Sequence, residues 1–280
     1  MTVWFVTGAS RGFGAEIVRQ ALDRGDRVVA TARNPKAVLA EFPDAGDALL
    51  VEPLDVADQA QAQAAVDAAV AAFGRIDVLV NNAGRGLLGA VEEASDQEVR
   101  AVFETNVFGL LAVTRAVLPV MRAQRSGRVF NLSSVGGIAV GQGWGVYGGT
   151  KYAVEGLSEA MRVELAPLGI QVTIVEPGVF RTDFLDSSSL HHTDRELDDY
   201  APTAGQTRIY AQANNHAQLG DPVKGVKAIV DLVQGERQPL RLQLGADCVA
   251  RVEGKLADIK RELDEWRPVA LATAFDDIKA

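Results

Sequence analysis

The sequence predicts an α/β protein: one doubly wound parallel sheet with helices on both faces. Three observations carry that prediction. Short apolar runs alternate with helically spaced segments along most of the chain. The runs are apolar throughout, as strands covered on both faces must be. The segments between them are long enough to be the crossovers that parallel neighbours require.

Residues 3–6 form the first strand, broken at Gly8. A helix over 15–22 carries Ile17, Val18, Ala21 and Leu22 on one face and stops near Gly25. Residues 27–31 and 48–51 read as the second and third strands. The Ala-rich stretch 59–73 is a helix, with Ala65, Val66, Ala69, Val70 and Phe73 spaced along one face. Residues 78–80 are the fourth strand, 99–121 one long helix, 128–132 the fifth strand, 147–165 a helix and 172–175 the sixth strand. A helix over 226–233 and a strand over 240–244 follow. Val249, Val252, Leu256, Ile259 and Leu263 then mark an amphipathic C-terminal helix. The residues from Arg267 onward read as a tail packed on the body or on a partner.

Residues 183–221 break the rhythm. They hold three consecutive serines, the adjacent His191 and His192, several carboxylates and few apolar anchors. A long irregular segment inside a compact domain is usually functional, so this one is expected to be mobile and to order over a ligand. Its acidic run, 194–199, reads as a solvated face.

Composition narrows the partners. The chain has 280 residues, 48% hydrophobic and 23% charged, enough for one large core. Its 28 basic against 37 acidic residues give a net charge of −9. Such a surface repels phosphate backbones and anionic lipids, which sets nucleic acid and membranes aside. No uncharged apolar stretch of about 18 residues stands out as a membrane span. The N-terminus runs straight into Val3-Trp4-Phe5-Val6 without the features of a secretory signal. The single cysteine, Cys248, reads as a buried small residue. A cytoplasmic location is expected. Adjacent histidines do not converge as ligands, and no Cys or carboxylate cluster has metal spacing, so no metal is expected.

The first strand turns into the first helix through Thr7-Gly8-Ala9-Ser10-Arg11-Gly12-Phe13-Gly14. Three glycines there let backbone N–H groups and a helix N-terminus approach a pyrophosphate. This is the phosphate turn of a Rossmann-type sheet. The second strand ends Val29-Ala30-Thr31 and continues into Ala32 and Arg33, with no acid for a ribose 2′-hydroxyl. Arg33, with Arg11 from the turn, instead suits a 2′-phosphate. NADP(H) is therefore expected in preference to NAD(H).

Tyr147 and Lys151 are four apart on a helix and share a face. A free phenol has a pKa near 10, too high for efficient proton exchange at neutral pH, and a nearby ammonium is expected to lower it. Ser134, at the end of the fifth strand, is placed to hydrogen-bond a substrate oxygen.

Thr7-Gly8-x-x-x-Gly12-x-Gly14, Asn81-Asn82-Ala83-Gly84, Ser134, Tyr147-x-x-x-Lys151 and Pro177-Gly178 together resemble the short-chain dehydrogenase/reductase family, over residues 1–245. The resemblance implies a single dinucleotide-binding and catalytic domain, with 183–221 as its substrate loop and 246–280 as a helical extension of the same domain. Between Ser133 and Ser134, the family spacing selects Ser134. The resemblance adds Asn106 as the fourth member of a Ser, Tyr, Lys, Asn set, holding a water that links Lys151 to solvent. It places Asp55 and Val56 at the adenine, makes Asn82 a support for the sheet, and gives Ala83 and Gly84 close approach to cofactor. It puts Pro177, Gly178 and Thr182 at the nicotinamide.

The implied activity is hydride transfer between NADP(H) and a carbonyl or alcohol, with Tyr147 as general acid/base. An epimerase- or dehydratase-like reaction and a non-enzymatic NADP(H) sensor remain alternatives. Trp144, Phe180, Phe184 and Leu185 suggest an apolar pocket wall, and the resemblance leans toward the hydroxysteroid and retinol dehydrogenase branch. It also implies a homo-oligomer paired through the helices at 99–121 and 147–165, whose outer faces include Leu110, Leu111, Val113 and Leu157. The C-terminal helix could instead cover that surface.

Overall fold

The computed structural model describes residues 1–235 and 237–275. The chain runs β1 (Val3–Thr7), α1 (Gly12–Asp23), β2 (Arg27–Ala32), α2 (Pro35–Glu41), β3 (Leu49–Pro53), α3 (Gln59–Phe73) and β4 (Val78–Asn81). It continues β5 (Gly86–Leu88), α4 (Asp96–Phe103), a π turn (Glu104–Gly109), α5 (Leu110–Gln124), β6 (Gly127–Leu132) and α6 (Gly145–Leu165). The last part is β7 (Ile170–Pro177), β8 (Leu190–His192), α7 (Gln206–Ala213), α8 (Pro222–Leu232), β9 (Arg241–Leu244) and α9 (Ala246–Leu271).

Seven strands form one sheet in the order β3-β2-β1-β4-β6-β7-β9, every pair parallel. The chain reverses direction across the sheet between β1 and β4, and in such sheets ligands bind at the strand C-termini beside that reversal. One core lies under α1 and α8 around Trp4, Ile17, Val28, Phe130 and Ile229. The other lies under α3, α5 and α6 around Phe5, Val66, Leu79, Val113 and Met161. The fully apolar strands of the sequence are explained by these two layers: β1 and β4 have no exposed residue.

Three expectations change. The long helix predicted over 99–121 begins earlier, because Ser95 and Glu98 form a capping box. It is also interrupted by the π turn at Asn106. The combined helix Asp96–Gln124 is long and apolar enough by composition to cross a membrane, contrary to the sequence reading. Half of its most apolar window is buried inside the protein, with Val113, Val117 and Met121 in the core, so the sheet already uses that apolar face.

The segment 183–221 is the second change: it is not an irregular loop. β8 pairs in parallel with β5, matching Gly86 to Leu190 and Leu88 to His192. Helix α7 follows, and Leu190 and Ala211 pack with Leu88. Arg208, on α7, forms a buried ion pair with Glu93 and donates to Thr193 Oγ1 at 2.9 Å. Burial opposes the Glu93 charge, but N–H donors from Leu197 and Ala90, with Arg208, hold its carboxyl below the usual range. The run 194–199 is mostly exposed, as expected.

The third change is at the C-terminus. Residues read as a tail from Arg267 continue α9 to Leu271, and 276–280 lie outside the described residues. Cys248 is buried, its Sγ donating to Glu176 O at 3.1 Å, and burial pushes the thiol up to about 11. It is chemically quiet.

Candidate active site

A cleft of about 680 Å³ opens at the C-terminal ends of the central strands. Of the site residues singled out in the sequence, all but Gly14 and Asn106 line it. They come from the β1–α1 turn, the ends of β2, β3, β4, β6 and β7, and the face of α6.

The glycine turn shows why its residues are small. Gly8 sits at φ +66, and a Cβ there would come 2.9 Å from Ala83 Cα. A Cβ on Gly14 would run into the Gly8 carbonyl. Asn82 Nδ2 donates to Thr7 O (2.9 Å) and Gly8 O (3.0 Å), fixing the turn against β4. Thr7 Oγ1 accepts from the N–H groups of Asn82 and Ala83. Helix α1 starts at Gly12 with no side-chain cap, so its first N–H groups stay open toward the cleft. Phe13 packs edge-on against Phe180, with centroids 5.1 Å apart, tying this turn to the chain after β7. Thr182 lies across from Gly12, where an added Cβ would be 3.7 Å from Thr182 Cβ. These features fit a dinucleotide: an uncapped helix start, a glycine turn with no room for side chains, and a wide cleft beyond it.

Tyr147 projects from the first turn of α6. Its ring packs against Trp144 (5.5 Å) and Phe184 (5.6 Å), which keeps water off it. Lys151 Nζ lies 5.7 Å from the centre of the Tyr147 ring and donates to Leu132 O at 2.8 Å. Ser134 Oγ accepts from Gly136 N–H at 3.1 Å, and its hydroxyl donates toward Tyr147. Ser133 instead turns toward Glu155, where a Cβ on Gly137 would meet both side chains.

The acidified phenol expected from the sequence is not what these side chains produce by themselves. Burial pushes Tyr147 up to about 12, against a hydrogen bond from Ser134 that pulls it down. Burial likewise pushes Lys151 down to about 8, with the Glu155 charge acting against that fall. Desolvation outweighs pairing because both groups sit in a dry wall.

Asn106 is buried in the π turn. Its Oδ1 accepts from Arg85 N–H at 2.9 Å, and its Nδ2 donates to Arg85 O (2.9 Å) and Thr150 Oγ1 (3.0 Å). It therefore ties the chain after β4 to α6. A Cβ on Gly84 would lie 3.3 Å from Asn106 Oδ1 and 3.8 Å from Lys151 Nζ, so asparagine and lysine do meet at this glycine.

Arg11 and Arg33 were expected side by side. Both line the cleft, but Arg11 is held by the segment above it, donating to Ser188 Oγ (2.5 Å), Ser188 O (3.0 Å) and Ser189 Oγ (2.7 Å). The neighbour of Arg33 is Arg85, which the sequence reading missed. Burial and the Arg33 charge hold the Arg85 guanidinium below its usual value. Burial, then Arg85 and Arg33, depress His191. Among the described residues, neither Arg33 nor Arg85 has an acidic partner. The only sequence signal was a cation directly after Asn81-Asn82-Ala83-Gly84.

The predicted apolar wall also sorts itself. Trp144, Phe184 and Leu185 face the cleft beside Tyr147, whereas Phe180 is mainly a packing residue, wedged against Phe13, Gly220 and Gly225. Gln218 joins the cleft wall almost fully buried, with neither side-chain amide atom hydrogen-bonded. The fold also brings Asp183, Asp186 and His216 together, which spacing along the chain did not suggest. Asp186 Oδ1 there accepts from Asn215 at 2.6 Å and lies 3.0 Å from His216 Nε2.

Residues 2–192 match the family model described as short chain dehydrogenase. The chain is 37% identical over 274 residues to the oxidoreductase BOA17 of Botryotinia fuckeliana, covering 97% of this chain and 99% of that one. It superposes with a TM-score of 0.89 on a short-chain dehydrogenase from Streptomyces avermitilis, at 42% identity, covering 98% and 100% of the two chains. A serine dehydrogenase solved with NADP+ gives a TM-score of 0.75 at 28% identity, covering 87% of this chain and 94% of its own.

Proposed function

The chain belongs to the short-chain dehydrogenase family, and from that premise we propose that it transfers a hydride between NADP(H) and a bulky, mostly apolar carbonyl or alcohol, with Tyr147 as the proton-transferring residue. The observation that carries this reading is convergence. Tyr147, Ser134 and Lys151 meet in the same cleft as the glycine turn, and aromatic rings dry the tyrosine.

A bound nicotinamide supplies the hydride, or takes it in the reverse direction. The protein's own groups do the rest. Ser134 Oγ, whose lone pair is occupied by Gly136 N–H, donates its proton to the substrate oxygen and orients it. Tyr147 Oη gives that oxygen a proton in reduction and removes one in oxidation. Lys151, as an ammonium, stabilises the phenolate and holds cofactor hydroxyls. Trp144, Phe184 and Leu185 exclude water and accept apolar surface.

The 2′-phosphate preference rests on cations without partners. Ala32 leaves room at the end of β2, no acid follows it, and Arg33 and Arg85 face the same space. A chain of net charge −9 that leaves two guanidiniums unpaired in a cleft is built to receive an anion there. The cytoplasm, where NADPH is abundant, is the proposed compartment.

The test is NADPH oxidation against ketones and aldehydes of increasing apolar bulk, with titration calorimetry of both cofactors. The expected result is turnover that rises with apolar bulk, and NADPH bound at least about tenfold more tightly than NADH, roughly one charge-assisted contact. Ala32→Asp should reverse that order. Equal affinities would overturn the NADP(H) assignment, and absence of turnover across the panel would overturn the reductase reading.

A further inference from the structure

Helix α9 touches the body through Arg251, which donates to Ala139 O, and through the half-buried Val252 and Lys255, and stands clear beyond Lys255. Cys248 is its only buried residue, and every described residue from Leu256 onward is exposed. Its 26 residues span about 39 Å. Yet it is not polar all round: Leu256 is 58% exposed and Trp266 59%. Val249, Val252, Leu256, Ile259, Leu263 and Trp266 follow one another at alternating steps of three and four. That is the seam of a coiled coil, two apolar positions per heptad. The residues least suited to a helix interior, Gly254 and Pro268, both fall on the face opposite the seam. A helix this long has no reason to hold an apolar stripe in water unless something covers it.

We infer that α9 pairs with α9 of a second copy of this chain, antiparallel, about a two-fold axis passing between Ala257 and Asp258. The charges beside the seam select both the partner and the direction. In the antiparallel arrangement Val249 faces Trp266 of the second copy, Val252 faces Leu263, and Leu256 faces Ile259. The flanking positions then set Lys255 against Glu262 and Glu253 against Lys260. Symmetry makes each pair occur twice. In the parallel arrangement Lys255 would instead oppose Lys260, a like-charge contact. In the single chain Lys260 pairs with Asp264 on its own helix, an exposed pair of little cost to exchange. Of the residues expected on the outer faces of α5 and α6, Leu110 and Val113 are buried and Leu111 and Leu157 half-buried.

Sedimentation of the full-length protein at micromolar concentration tests this, and it does not depend on the catalytic reading. The expected species has twice the 29.8 kDa chain mass. Leu256→Lys with Ile259→Lys should give a monomer that still melts cooperatively and keeps the wild type's affinity for NADPH, whatever that is, because both side chains are exposed in the single chain. Lys255→Glu should loosen the dimer about tenfold, through two lost pairs and two repulsive ones. Lys255→Glu with Glu262→Lys should restore it. A monomeric wild type, or an oligomer indifferent to the Leu256 and Ile259 changes, overturns the inference. A dimer tightened by Lys255→Glu overturns its antiparallel form.

Discussion

Helix α6 lies against the sheet and buries polar groups: Thr150, Lys151, Glu155 and Ser158 are all inside, beside Tyr147. Helix α9 stands away from the sheet and does the reverse, exposing Leu256, Ile259, Leu263 and Trp266. Scattered apolar residues on a surface need no explanation, whereas buried ionisable groups and ordered apolar stripes do. On α6, Lys151 lines the cleft beside Tyr147, while Thr150 meets Asn106, Ser158 meets Asn131 and Glu155 meets Arg241. In α9 the exceptions lie on a single line with complementary charges beside it. Each departure from the ordinary inside–outside partition costs stability in the isolated chain.

The sharpest way to break this comparison is at the active-site end of α6. Tyr147→Phe keeps the ring packing against Trp144 and Phe184 and removes only the hydroxyl. Turnover should fall by about 10²–10⁴-fold with NADPH affinity nearly unchanged, since that is the usual contribution of a general acid–base group. Steady-state rates together with cofactor titration check it. More than about one percent of wild-type activity, the lower edge of that range, would remove Tyr147 from the role.

Matched apolar truncations compare the two helices directly. Met161→Ala on α6 opens space in the core beneath α3 and α5 and should cost about 2–5 kcal/mol. Leu256→Ala on α9 should change the stability of a monomeric background by no more than about 0.5 kcal/mol. Urea unfolding of both, each in an Ile259→Lys/Leu263→Lys monomer that leaves position 256 free, gives the numbers. Equal losses would mean that α9 is packed on the body after all.

The smallest effect concerns buried charge in α6. Burial pushes the Glu155 carboxyl up to about 7, the hydrogen bond from Ser133 opposes this, Glu176 adds to it, and Arg241 opposes it. The folded protein therefore holds a proton there that the unfolded chain has already released above about pH 4.5. Stability from this group is present below that value and is lost as pH rises toward 7, by at most about 1.4 kcal/mol per unit. Glu155→Gln should flatten the melting temperature over this window. A melting profile as steep as wild type would show that Glu155 titrates normally.

The sequence by itself determined whatever depends on short separations and regular period. The strands of the sheet, the glycine turn and the Tyr147–Lys151 pair are set by neighbours within a few residues, so their types and spacing are enough. The amphipathic period of α9 was legible for the same reason. Tertiary structure decided every choice of partner. Arg11 engages Ser188 and Ser189, Arg85 comes beside Arg33, Glu93 meets Arg208, and β5 pairs with β8, each across a long stretch of chain. The same holds for the ionisation of Tyr147, where spacing predicted acidification and burial produced the opposite. A periodic apolar face says that a helix must be covered; only the arrangement of the whole chain shows that the body covers α6 and leaves α9 bare.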